Sequence, residues 1–216
     1  MNLEKSKFLF IDFDGVIVNS NKFKEQAIEE SILNLFGENS NNRRAIDYFN
    51  EFAGIGRVKK LSIFFQKKDV SKILKIYNKN CANFLSQAVP TVGFEEFINF
   101  VKSEYPSIRI NILSGGENDE IEYFLNKNKL RNLFDDVLAS ERSKFDHLYR
   151  KNVNINDVFI GDSKSDLYTA LKVNIQFVLM EDFGSIKSFP ERYNEKTLNF
   201  HRTKNFISLI QYLKNG

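Results

Sequence analysis

A single cysteine, no tryptophan and no long apolar run are the first things this 216-residue chain withholds, and each absence excludes something. Cys81 alone cannot staple the chain to itself, so the fold is expected to rest on packing in a reducing compartment, without a disulfide framework. No apolar segment reaches the roughly 18 to 20 residues that a membrane span needs. The opening "MNLEKSKFLFIDFDG" carries only a short apolar run interrupted by acids, with no cleavage-site pattern, which reads as a soluble, cytoplasmic protein with no membrane partner. An excess of one charge is missing too. The 31 basic and 28 acidic side chains leave +3, scattered and not gathered in one block, so nucleic acid is not an expected partner, although a small anion is compatible. The 22 phenylalanines are not interleaved with arginine as base-stacking surfaces are, and read as core.

What is present is an alternation. The runs "KFLFIDF", "IRINILSG", "DVFIGD" and "IQFVLM" are apolar throughout, the pattern of strands covered on both faces. Between them, "ENDEIEYFLNKNKL" and "SKSDLYTALKV" carry apolar residues at helical spacing. Strand, polar loop, helix, strand predicts an α/β fold with a doubly wound, Rossmann-like parallel sheet, whose ligands lie at the carboxyl ends of the strands. The alternation breaks between about 21 and 88. There "NKFKEQAIEESILNLFG" and "DVSKILKIYNKNCANFLSQA" are helical in period, and Val70, Ile73, Leu74, Tyr77, Cys81, Phe84 and Leu85 form one stripe. The expected division is an α/β core of residues 1–18 and 89–216 with an all-helical insert of 19–88. Pro90 and Gly93 mark the return to the sheet, "DDVLA" reads as an edge strand, and the tail before "FISLIQYLKN" gives loop signals.

Three of the strands end in polar clusters that bear on chemistry. Asp12 and Asp14 share a face if the strand runs on, and Gly15 permits a turn if it does not. Like charges so close call for a cation, a proton or a phosphate-ligating partner. "FIGDSKSDL" adds Asp162 and, one helical turn on, Asp166. Three or four converging carboxylates suit a hard divalent cation such as Mg²⁺. "NILSGG" offers Ser114 and the backbone of Gly115 before a helix, and "ASERSKFDHL" offers Lys144 at a helix start. Serine, lysine and helix-end amides around an acid-and-metal centre make a phosphate cradle, in which one aspartate attacks phosphorus while a second handles the proton.

Taken in order, "DFDGVIVNS", "NILSGG", "SKFDHL" and "GDSKSDL" resemble the four motifs of the haloacid dehalogenase superfamily, and more closely its phosphoglycolate-phosphatase-like members with a helical cap after the first motif. The resemblance spans nearly the whole chain. It implies a Mg²⁺-dependent phosphatase acting on a small phosphorylated metabolite, a sugar phosphate or a phosphoglycolate-like compound. It further implies that Asp12 becomes phosphorylated, Asp14 is the general acid/base, Ser114, Gly115 and Lys144 hold the phosphoryl group, and Asp12, Asp14, Asp162 and Asp166 form the metal set. Asn19 stands where many relatives carry an acid and Phe145 where many carry proline, and neither departure removes a charge the chemistry requires. A phosphosugar mutase would share every motif. Dehalogenation is disfavoured because relatives that cleave carbon–halogen bonds lack the second acid; a non-catalytic binding protein is disfavoured because nucleophile and metal acids are intact; and a receiver-type signalling domain does not have this motif order.

Blander readings apply elsewhere. A strand-end aspartate taken singly is usually a cap or turn, Asp166 favours a first helical turn by the dipole alone, and Ser114 could cap the next helix. In the insert, "EFAGIGRVKKLSIFF" places two glycines before Arg57, Lys59 and Lys60. Arg57 is the candidate substrate contact, ahead of the lysines, for its fork-shaped donors; a helix joint with a solvated basic face is the alternative. His147 and His201 read as helix-surface and loop residues, and Cys81 as a small buried side chain. A monomer or homodimer is expected.

Overall fold

The computed structural model describes residues 3–52, 55–184 and 200–215. Six parallel strands form one sheet: β1 (Phe8–Ile11), β2 (Arg109–Leu113), β3 (Asp136–Leu138), β4 (Val158–Gly161), β5 (Gln176–Met180) and β6 (Phe200–Thr203), in the spatial order β3-β2-β1-β4-β5-β6. The order reverses between β1 and β4, the topological switch point at which open α/β sheets open a crevice beyond the strand ends. Alternation along the strands sets the two cores. Leu9 and Ile11 of β1, Ile110 and Ile112 of β2 and Ile160 of β4 face α5 (Phe94–Glu104), α6 (Asn118–Lys127) and α9 (Phe206–Asn215). Phe8, Phe10, Phe159 and Phe177 face the other way, onto Leu148 of α7 (Lys144–Lys151) and Leu167 and Ala170 of α8 (Lys164–Val173). Burying each such side chain contributes about 1.5 to 3 kcal/mol, enough to make the register of every strand unambiguous.

The break in the alternation is a helical unit of α1 (Asn21–Phe36), α2 (Ser40–Glu51), the short α3 (Arg57–Leu61) and α4 (Lys67–Leu85). It has its own apolar core, in which Ile28 and Ile32 of α1 meet Ala45 and Phe49 of α2 and Ile73, Tyr77 and Cys81 of α4. The end of α4 joins the sheet domain instead: Leu85 packs in the core under α5, and Phe84 stacks on Phe23 of α1 at 4.4 Å between ring centres. The two chain crossings are tied together where Thr91 donates to Ile17 O (2.9 Å) through its amide and to Val16 O (2.7 Å) through its hydroxyl.

Two elements go beyond the sequence-based expectations. The helix α2 has sparse apolar spacing and is fixed by its cap, the Asn39 side chain accepting from Asn42 N at 2.9 Å. The tail, expected to be loop before the last helix, contributes β6, whose pairing with β5 makes an edge strand of the weakly apolar "FHRT"; the rest of that tail, 185–199, lies outside the described residues. Among the described residues no helix is long and apolar enough to cross a membrane.

Candidate active site

Every polar cluster found in the sequence emerges at the carboxyl edge of the sheet. The ladder continues one residue past β1, Asp12 N donating to Ile160 O at 2.9 Å, and the backbone then turns. Of the two conformations open to the Asp12–Asp14 pair, the structure adopts the turn: Gly15 has φ +74°, and a Cβ there would stand 2.3 Å from Asn21 Nδ2 and 2.5 Å from Asp162 Oδ2. Glycine is therefore required twice over, by backbone and by space. The two carboxylates part company as a result. Asp12 points to the floor of a cavity of about 130 Å³, whereas Asp14 faces the helical unit, accepting from Ser20 Oγ at 2.6 Å with Lys24 Nζ 2.6 Å away.

The floor is a chain of opposite charges. Lys144, at the first turn of α7 behind an Ser143 cap, lies 2.8 Å from Asp12 Oδ2 and 2.6 Å from Asp166 Oδ1. Burial alone would favour losing its proton, but the two carboxylates outweigh that and hold Lys144 above the usual lysine range. Asp12 is pushed well up by burial, with Lys144 opposing and the charges of Asp166 and Asp162 adding to the rise. Its Oδ1 accepts from Phe13 N at 2.7 Å, which fixes the carboxylate. Asp14 is also buried, yet Lys24, Ser20 and the more distant Arg57 overcome that burial and leave it below the ordinary aspartate value.

Asp12, Asp162 and Asp166 each present an oxygen to one point, the three lying within 4.8 Å of one another. Hard carboxylate oxygens so gathered fit Mg²⁺, and a divalent cation there would reverse the electrostatic burden on Asp12. Asp166, fully buried, is already engaged: Oδ1 accepts from Lys144, Oδ2 accepts from Ser163 Oγ (2.7 Å) and from Ser163 N (3.1 Å), and its own amide donates back to Ser163 Oγ (3.2 Å), completing the reciprocal capping box that opens α8. The dipole reading thus applies to Asp166, which also stands beside Asp12 and Asp162. Gly161 makes the approach possible, since a Cβ there would sit 2.6 Å from Asp166 Cβ. Asp162 Oδ2 accepts from Asn21 Nδ2 at 2.7 Å, so the first residue of α1 steadies an acid of the core. Ser114 and Gly115 line the same cavity from the end of β2. Ser114 is not the cap of the next helix, a position taken by Glu117; its Oγ accepts from Gly116 N at 3.0 Å.

The wall opposite is formed by the helical unit. Arg57 reaches the cavity but is held by Glu120 of α6 in a two-toothed bridge of 2.7 and 2.5 Å, with a third bond to Asn78 Oδ1 at 3.0 Å. Lys60 lines the cavity as well and Lys59 does not. Asn19 is exposed and Phe145 packs against Tyr149 under Lys172, both away from the cavity. Lys24 and Asn21 escaped the sequence reading; the only available signal was a polar "NSNK" directly after the first motif, and its value depended on α1 folding back across the sheet edge. His147 corrects an expectation: it is buried, not on the helix surface, because its Nε2 bonds to Ala139 O at 2.8 Å. His201 lies in β6 and not in a loop, its ring stacked on Tyr212.

With this geometry in hand, three solved structures are similar in fold: a hydrolase from Pseudomonas syringae (TM-score 0.75, 15% identity, 98% of this chain and 99% of that one); a predicted phosphoglycolate phosphatase from Haemophilus somnus (0.73, 12%, 99% and 99%); and a predicted phosphatase from Clostridium acetobutylicum (0.72, 16%, 98% and 99%). No curated protein matches the chain. The family model for haloacid dehalogenase-like hydrolases matches residues 9–180, from β1 through the fourth motif to the end of β5, and the chain belongs to that family.

Proposed function

We propose that this hydrolase is a phosphatase that cleaves small phosphorylated metabolites, sugar phosphates or phosphoglycolate-like compounds, through phosphorylation of Asp12. The observation that carries the reading is the placement of Lys144 between Asp12 and Asp166 at the floor of a cavity that Ser114, Gly115 and Asp162 also line. In the first half-reaction an Asp12 oxygen forms a bond to phosphorus as the bond to the leaving oxygen breaks, and Asp14 supplies the proton that oxygen needs. In the second, water attacks phosphorus, Asp14 takes the water's proton, and Asp12 is released with inorganic phosphate. The Lys24 contact keeps Asp14 ionised, the form suited to this second step; carrying a proton in the first step comes at the expense of that ion pair. Lys144, Ser114 Oγ and the Gly115 amide would neutralise the equatorial oxygens. Asp12 and Asp162 would hold a Mg²⁺ with Asp166 behind them, supplying charge stabilisation for the phosphoryl oxygens when bound. The helical unit would act as a cap that excludes bulk water.

Release of the phenol from an aryl phosphate with Mg²⁺ tests the reading directly. Turnover is expected in the native protein and absent in Asp12→Asn; activity that survives the substitution would remove Asp12 as nucleophile.

A further inference from the structure

Four cationic side chains line the cavity: Lys24, Arg57, Lys60 and Lys144. Three are matched, Lys24 by Asp14, Arg57 by Glu120 and Lys144 by Asp12 and Asp166. Lys60 is different. It is 7% exposed, yet among the described residues it has no carboxylate partner: its ammonium donates to Phe49 O at 2.7 Å and lies 3.6 Å from the centre of the Phe49 ring. An ammonium carries three donors, and one backbone carbonyl and a ring face do not compensate a buried cation. The neighbours add to the cost. Arg57, one helical turn earlier on α3, and Lys24 on α1 both repel it, against a weaker attraction from Asp14. Glu25, the remaining acid of the helical wall, is exposed on α1. A methionine would fill the same space without desolvating a charge.

The cavity is therefore polarised, with surplus acid where Asp12 and Asp162 gather on the sheet and surplus base at Lys60 on the helical wall. We propose that Lys60 is the residue that selects the leaving group, by pairing with a second anionic group, a carboxylate or a phosphate, at the end of the substrate remote from the transferred phosphoryl. This deepens the phosphatase reading and rests on it. Arg57, the earlier candidate for that contact, has its fork filled by Glu120 and acts as the bridge that holds α3 over the site. A phosphoryl group seated against Lys144 and Ser114 leaves the far end of a small substrate to meet α3, and an anionic end supplies the counter-charge that the described residues do not. The competing explanation is structural: Phe49 is in the last turn of α2, so Lys60 could serve only to satisfy a helix-end carbonyl.

The test separates these by binding, independently of turnover. Calorimetry with Mg²⁺ on the Asp12→Asn protein measures affinity for alkyl phosphates of graded length that end in a hydroxyl, a carboxylate or a second phosphate. The expected result is an affinity at least about tenfold higher for one or both anionic ends than for the hydroxyl, collapsing to parity in Asp12→Asn/Lys60→Met with little change for the hydroxyl series. The carboxylate and phosphate arms tell the two sources of charge apart. Equal affinity across all three ends at every length, or a preference that survives Lys60→Met, would overturn the proposal. Thermal melting guards against a folding artefact: a helix-capping lysine loses stability on replacement by methionine, whereas a cation kept for substrate gains it. Lys60→Arg, which keeps the charge, should retain the preference. Phosphate release by the protein with Asp12 intact is scored separately. Its absence from every compound would sink the phosphatase reading while the calorimetric comparison still judged Lys60.

Discussion

On the sheet side of the cavity Lys144 stands between Asp12 and Asp166, both carboxylates are further tied by Phe13 N or Ser163, and Asp162 accepts from Asn21 Nδ2. On the helical side the charges are shared out unevenly. Lys24 and Arg57 are spent on Asp14 and Glu120, and Lys60 meets a carbonyl and a ring. On the proposed function the difference follows from what each side would do. A group that transfers a phosphoryl must be pre-positioned before substrate arrives, so the sheet side is a closed network. A group that recognises a variable leaving group must be left to pair with it.

The largest effect should come from opening the closed network at its centre. Asp12→Asn is expected to lower kcat by roughly 10⁴-fold or more, the scale on which loss of a covalent nucleophile acts. Removing the metal should do the same reversibly, with chelation stopping phosphate release and added Mg²⁺ restoring it; turnover unaffected by chelation would detach the acid trio from the reaction. Circular dichroism should be unchanged in Asp12→Asn, since the substitution removes a charge that burial already disfavours.

Asp166→Ala reaches the same network from behind. It strips Lys144 of one carboxylate and α8 of its capping box, so a loss of about 3 to 5 kcal/mol in urea unfolding is expected, the cost of leaving a buried charge short of a partner. Activity should fall about a hundredfold as Lys144 turns to Asp12 alone. A variant that unfolds at the same urea concentration as the native protein would show that the pair has no structural weight.

The contrast between the two sides also marks what was legible in the sequence. Asp12, Ser114 and Asp162 could be read because each follows an apolar run that has no choice but to be a strand, and strand ends converge by topology, whereas Lys144 could be placed only by its position between the second and fourth motifs. The all-parallel sheet and α1 and α4 were readable for the same reason, period. The helical wall was not, because its members come from different helices whose mutual angles depend on packing that no local pattern encodes. Arg57 and Lys60 are three residues apart in one basic stretch, and nothing in "RVKK" says that one will find Glu120, 63 residues away, while the other finds no acid among the described residues. Likewise "FHRT" became a strand only because β5 offered an open edge.

A smaller effect separates a bridge from a ligand at Arg57. If Arg57 serves by holding Glu120, then Arg57→Ala and Glu120→Ala should each destabilise by about 2 kcal/mol, raise KM alike, and couple in the double variant by about 1 to 2 kcal/mol. A KM defect in Arg57→Ala that Glu120→Ala does not share would return Arg57 to the substrate.

The smallest effect is the most specific to the helical wall, and its sign is set by Lys60. Burial, then repulsion by Arg57 and Lys24, lowers its pKa to about 7, against about 10.4 in an unfolded chain. Below pH 7 both states carry the proton, and folding bears the full cost of burying the cation. Between pH 7 and about 10.4 the folded state has released the proton and the unfolded state has not, so the cost fades as pH rises. Lys60→Met should therefore stabilise the protein by about 1 kcal/mol near pH 6, once loss of the Phe49 bond is set against the removed charge, and this advantage should shrink toward pH 10. Urea unfolding of both proteins across that range measures it. An advantage that does not vary with pH would mean that Lys60 keeps its proton in both states and that its charge is not what costs the fold, and a loss of stability near pH 6 would make it a cap for α2; only the falling advantage fits a cation held, at a cost to the fold, for a counter-charge that arrives with the substrate.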